Sequence, residues 1–146
     1  MTPSRSSVTA GIAYFALVFA LGFALGTVRT LFVQGAPGGG RLIGVLIELP
    51  VMLAASWWLC AIVIRRFAVA RLRAQRAVMG GIALACLLLA ELLVGALLFG
   101  RTPAEHVALY ADASYALGLL AQIAFGLMPL LQLRTRRHPA SSRPAA

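Results

Sequence analysis

Four apolar stretches, each long enough to cross a bilayer, constrain this chain more than any other feature of its sequence. They cover about residues 9–31, 42–64, 78–99 and 113–133. A spanning helix needs roughly 20 mostly apolar residues, and all four stretches meet that length. The first carries no charge until Arg29, the second contains Glu48, the third contains Glu91, and the fourth is uncharged. The chain is 61% hydrophobic and 12% charged over 146 residues. A soluble domain averages about 45–50% apolar and about 25% charged residues. A soluble fold of this size has no interior large enough for so much apolar surface, so lipid is the expected solvent. The first stretch is too long for the 7–15-residue apolar region of a typical signal peptide, and no convincing A-x-A site follows it. It is read as a retained helix.

Charge then orients the spans. The chain carries 13 basic residues, all arginine, and a formal net charge of +9. With four spans, the N-terminus, the middle connection and the C-terminus fall on one side. Arg5, Arg65, Arg66, Arg71, Arg73, Arg76, Arg134, Arg136, Arg137 and Arg143 lie there, against Arg29, Arg41 and Arg101 on the other, ten to three. By the positive-inside rule the arginine-rich side is cytoplasmic. The expected fold is therefore an all-α membrane four-helix bundle, N-in and C-in, in one domain. The same placement accounts for the basic charge without nucleic acid. Anionic lipid headgroups at the cytoplasmic face are the expected partners, at about 1 kcal/mol per arginine near the surface. The absence of lysine beside abundant Ala, Leu and Gly points to a GC-rich bacterial genome, and hence to a bacterial inner membrane.

The connections differ in character. Residues 34–41 include Gly35-Ala36-Pro37-Gly38-Gly39-Gly40, which lacks the spacing of a phosphate-binding loop and reads as a flexible connector. In the second outer connection, Thr102-Pro103-Ala104-Glu105 has the form of a capping box with Pro at the first helical position. It predicts a short surface helix, followed by Asp112 as N-cap of the fourth span. Glu105, His106 and Asp112 are read as two caps and a solvated histidine rather than a metal site. Residues 134–146 are rich in Arg, Pro, Ser and Ala and are expected to be a disordered cytoplasmic tail. Cys60 and Cys86 fall inside apolar runs, away from any CxxC pair or His, and are expected to pack rather than bind metal. No metal or cofactor is expected.

Within the spans, Ala16, Ala20 and Ala24, with Gly22 and Gly26, form small-xxx-small spacing that supports close helix packing inside the chain or between subunits. Pro50 predicts a kink in the second span and frees the carbonyl of Leu46; Pro129 does the same for Phe125 in the fourth. Trp57 and Trp58 lie toward the inner end of the second span, where one serves as an interfacial anchor.

Glu48 and Glu91 carry the most information. At ~1.5 Å per residue, Glu48 lies roughly 9 Å below the outer end of its span and Glu91 about 12 Å below the end of its own. Arg29 sits near the outer end of the first span. Unpaired carboxylates at such depth cost several kcal/mol or take up protons. Arg29, Glu48 and Glu91 are therefore expected to form one intramembrane polar cluster facing the bundle interior. It serves either as a lock on helix register or as a proton or substrate site.

Gly26-Thr27-Val28-Arg29 closing the first span, and Glu48-Leu49-Pro50-Val51-Met52 opening the second, resemble a group of small bacterial four-span membrane proteins of uncharacterised function. The similarity covers most of residues 10–133. It implies only that Arg29, Glu48 and Pro50 are the positions to watch.

No motif identifies a reaction: the G-x-S-x-G, HExxH and P-loop patterns are absent, and His106 and His138 lie outside the spans, which disfavours haem ligation within the bilayer. Quinone binding stays open. The reading that needs fewest special features is a structural or accessory membrane component, in a homo-oligomer or a larger membrane complex. The alternative is a small oligomeric proton-coupled transporter or channel that uses the charged cluster.

Overall fold

The computed structural model describes residues 5–33 and 40–135, with side chains described for 5–28 and 44–134. The regular structure among the described residues is all helical. The long helices are α1 (Arg5–Val33), α2 (Gly40–Arg66), α3 (Arg73–Phe99) and α5 (Ala113–Thr135), with a short α4 (Pro103–Ala108) and a 3-10 turn (Leu109–Ala111) between the last two. Four of these helices are long and apolar enough to cross a membrane. The expected connector at 34–39 and the tail from 136 lie outside the described residues.

The ends of the helices follow local chemistry. α3 stops at Gly100, whose φ of 63° is left-handed; Gly100 N–H donates to Ala96 O at 3.1 Å and Arg101 N–H to Gly95 O at 3.1 Å. Glycine adopts that φ without a Cβ penalty, and the two bonds satisfy carbonyls that the helix end would otherwise strand. α2 ends similarly without glycine: Ala68 takes φ 47°, and Val69 N–H reaches back to Ile64 O at 3.1 Å. A left-handed alanine costs roughly 1–2 kcal/mol. The turn is held from the other side by Arg76, whose Nε donates to Ala70 O and whose Nη2 donates to Val69 O, both at 3.2 Å.

Consecutive helices are not always neighbours. Among the described residues α1 packs on α2 and α3, and α5 packs on α2 and α3. α1 and α5 therefore sit at opposite corners, as do α2 and α3. Small residues decide these contacts. Gly11 of α1 lies against the backbone carbonyl of Met79 and the side chain of Ile82, and Gly80 of α3 lies against the carbonyl of Gly126 in α5. A Cβ at either glycine would collide with backbone. The alanine stripe expected to mediate packing does not do so within the chain: Ala16, Ala20 and Ala24 are all exposed, because the face of α1 that meets α3 is the one bearing Ala10, Gly11 and Tyr14.

The core lies in the half nearer the arginine-rich end. Ala10, Tyr14 and Val18 of α1 meet Cys60 and Val63 of α2, Met79 and Ala83 of α3, and Phe125 and Met128 of α5. Tyr14 spans the diagonal: its ring stacks on Phe125 with centroids 4.3 Å apart, and its hydroxyl points to Met128 Sδ at 3.3 Å and, more distantly, to Phe125 O at 3.5 Å. Phe125 O is the carbonyl that Pro129 deprives of its helical partner. The diagonally opposite helix thus supplies a donor to a proline-freed carbonyl, which is how apolar surroundings tolerate proline in a long helix. α2 continues through Pro50 as one helix. Ser7 Oγ donates to Gln75 Oε1 at 2.5 Å, and Gln132 Nε2 to Trp57 O at 2.7 Å, pinning α1 to α3 and α5 to α2 at the same end.

Candidate functional site

Toward the opposite end the core gives way to a cavity of about 650 Å³ between the four long helices. Its floor is set by Val18, Leu53, Ser56, Leu87 and Phe125, and its upper wall by Leu98, Phe99, Ser114 and Tyr115. Gly22, Gly26 and Gly118 contribute no side chain to the space, and a Cβ at Gly26 or Gly118 would meet nothing within 4 Å.

Both carboxylates singled out in the sequence line this cavity. Glu48 comes from α2 and Glu91 from α3, and each is half-buried. Since α2 and α3 occupy opposite corners, the two acids face the space from opposite sides rather than standing side by side. Glu91 Oε2 accepts a 2.6 Å hydrogen bond from Gln122 Nε2 of α5. The other amide atom, Gln122 Oε1, is buried and has no hydrogen-bond partner among the described residues. The site therefore presents carboxyl groups on two helices and an amide oxygen on a third, set in apolar walls. Arg29 lies in α1, but its side chain is outside the described residues. Among the described residues no three His, Cys, Asp or Glu side chains converge to hold a metal ion.

Gln122 was missed in the sequence reading, which treated the fourth run only as uncharged. A glutamine in an apolar helix is itself a signal, because its amide needs a partner that lipid does not supply.

The connection between α3 and α5 is built as its sequence suggests, with one exception. Thr102 N–H donates to Glu105 Oε2 at 2.8 Å and Glu105 N–H to Thr102 Oγ1 at 3.3 Å, a complete capping box. Asp112 Oδ1 accepts from Ser114 N–H at 2.9 Å at the start of α5. The expectation of a solvated histidine is wrong: His106 is buried. Its ring fills the notch left by Gly95, where a Cβ would lie 2.8 Å from Nδ1, and Tyr110 meets it edge-on at 5.9 Å between centroids. Nδ1 has no hydrogen-bond partner among the described residues. Sequence spacing could not show this, because the notch is a missing side chain on another helix. The Tyr110 phenol is raised above its ordinary pKa, first by burial and then by the negative charge of Glu91.

Thr102 hydrogen bonds hold the Glu105 carboxyl below the usual carboxylate range. A carboxyl whose folded pKa is depressed contributes fully above its unfolded pKa, and the contribution fades as pH falls through the lower, folded one. The protection of the amides over residues 104–110, taken relative to their intrinsic exchange rate at each pH, should accordingly fall in acid. Thr102→Ala should remove about 0.5–2 kcal/mol of local stability, the usual cost of an N-cap, and accelerate the same amides at neutral pH. Exchange that is insensitive to the substitution would rule out a stabilising cap.

Comparison with protein-family models, curated proteins and solved structures gave no match. The resemblance of the two short motifs therefore brings no activity with it, and function must be argued from the cavity.

Proposed function

We propose that the chain is a bacterial inner-membrane protein, a four-helix bundle with both termini cytoplasmic, and that its cavity binds a small, largely apolar cation as the substrate site of a proton-coupled carrier. The cavity carries this reading. At about 650 Å³ it falls within the ~300–1,000 Å³ range of small-molecule sites, which are mostly apolar with a few placed polar groups. Those groups are acceptors here: Glu48, Glu91 and Gln122 Oε1. A cation with an apolar body matches both the walls and the acceptors. Cation binding favours ionised carboxylate, so it should expel protons, which supplies the coupling.

Tetraphenylphosphonium is the probe of choice. Calorimetry of the detergent-solubilised protein, in two buffers of different ionisation enthalpy, should show binding with proton release and an affinity that falls as pH is lowered. Binding without proton release, or none at millimolar probe, would refute the carrier reading. The structural or accessory reading has one specific observation behind it, the Glu91–Gln122 hydrogen bond, which would fix α3 against α5 whether or not anything is transported. It is the reading that remains if the probe does not bind.

The orientation has its own test. The arginine asymmetry supports it, and exposed Trp58 suits an anchor at the cytoplasmic interface. A reporter active only in the cytoplasm should work when fused after Ala146 or inserted near Ala74. Activity from an insertion near Gly39 instead would invert the topology.

A further inference from the structure

α5 contains two glycines that face the interior, and only one of them is explained by packing. Gly126 lets α3 approach: a Cβ there would come within 3.0 Å of Leu84 Cβ and 3.5 Å of Gly80 O. Gly118 lines the cavity instead, and a Cβ there would meet nothing within 4 Å among the described residues. Glycine within a helix is destabilising relative to alanine, so at Gly118 the helix carries that cost with no close approach in return. We propose that Gly118 is the size-determining residue of the cavity: the apolar body of the bound cation lies over Gly118 while its charge is directed to Glu91. The inference rests on the cation-carrier reading above and adds to it the residue that selects the bulk of the substrate.

Two observations place the ligand this way. The first is the register of α5. Ser114, Gly118 and Gln122 recur at every fourth residue and all line the cavity, so they form one column on one face of the helix. Gln122 Nε2 donates to Glu91 Oε2 at 2.6 Å, which sets the level of the acid on this column. Gly118 is the next turn up, away from the arginine-rich end. It leaves the space above the Glu91–Gln122 pair free of side chain on the α5 side. The second is the wall of α3. Val94 and Leu98 follow Glu91 on the same face of that helix and also line the cavity. Above the acid, therefore, α3 offers aliphatic surface and α5 offers a missing side chain. A cation that brings its charge to Glu91 finds room for an apolar body there, and that room shrinks with every carbon added at position 118. Packing glycines and this one differ in consequence: filling Gly126 pushes helices apart, whereas filling Gly118 takes volume from the ligand.

Calorimetry of the full chain in detergent tests the proposal with two cations of equal charge and different bulk, tetraphenylphosphonium and tetraethylphosphonium. Gly118→Leu should lower the ratio of their affinities, bulky over small, by at least about tenfold. Gly118→Ala should lower it by roughly threefold and should leave the thermal midpoint of the ligand-free protein unchanged or raised. Should the leucine prevent folding, the alanine variant carries the comparison. Gly81→Leu, at an exposed position of α3 that does not line the cavity, should leave the ratio as in the unmutated protein. An unchanged ratio in both Gly118 variants would overturn the proposal, and so would equal losses for the two cations, which would mean a distorted site rather than a smaller one. A lowered midpoint in Gly118→Ala would overturn it as well, by showing that the space over Gly118 is already filled. Failure of the carrier reading looks different: the unmutated protein would then bind neither cation, and the size selection would fall with it.

Discussion

Gly80→Ala should markedly lower the thermal midpoint of the detergent-solubilised protein, while Gly81→Ala, one residue away, should leave it unchanged or raise it. At Gly80 the added Cβ runs into the backbone carbonyl of Gly126 and approaches Pro129 Cδ. Neither can rotate away as a side chain would. Relief requires α3 and α5 to separate, and the whole Met79–Phe125–Met128 layer would have to open with them. Overpacking typically costs about 1–3 kcal/mol, and a rigid backbone obstacle belongs at the upper end. At Gly81 a Cβ meets nothing within 4 Å. There only the helix-propensity gain of roughly 0.5–1 kcal/mol remains. The pair is internally controlled, since composition, helix and depth are nearly shared. Equal midpoints for the two variants would show that α3 and α5 do not meet at Gly80. Gly126→Ala should fall between them, because its nearest obstacle, Leu84 Cβ at 3.0 Å, is a looser contact than the carbonyl met at Gly80, and Leu84 Cδ2 at 3.2 Å can rotate away.

Glu91→Gln should weaken tetraphenylphosphonium binding by at least about tenfold, or ~1.4 kcal/mol. It should also abolish the proton release that accompanies binding. The thermal midpoint should change little, because an amide at position 91 can still pair with Gln122 across the 2.6 Å contact now made by the carboxylate. Glu48→Gln should weaken binding as well, since Glu48 lines the same cavity from the opposite corner. In proteoliposomes loaded with a pH-sensitive dye, the wild-type protein should couple probe entry to proton movement and Glu91→Gln should not. A variant that loses stability but keeps full binding would identify the Glu91–Gln122 pair as a register lock. These two outcomes cannot be confused, because one moves affinity at constant stability and the other moves stability at constant affinity.

Much of the architecture was legible from local chemistry. A run of some twenty apolar residues leaves the backbone no partner in lipid but its own helix, so residues 9–31, 42–64, 78–99 and 113–133 declare themselves helical before any tertiary contact is known. Thr102, Pro103 and Glu105 specify α4 within a single turn, and the structure contains that capping box. Glu48 and Glu91 stood out because charge in an apolar run is costly, and both line the cavity. The sequence by itself thus determined the number of long apolar helices, the short capped helix between the last two, and which charged residues needed explanation. Only the tertiary structure decided which helices are neighbours. The small residues that matter, Gly11, Gly80 and Gly126, are distinguished from Ala16, Ala20 and Ala24 by what lies opposite them, not by spacing along their own helices. It decided that Gln122 would pair with Glu91, that His106 would be buried in the notch of Gly95, and that Arg76 would turn inward to hold Val69 and Ala70. Each of these depends on a residue at least five positions away, and most depend on another helix. Apolar periodicity carries little of that information here, because a helix that is hydrophobic on every side does not reveal in its sequence which side it will bury.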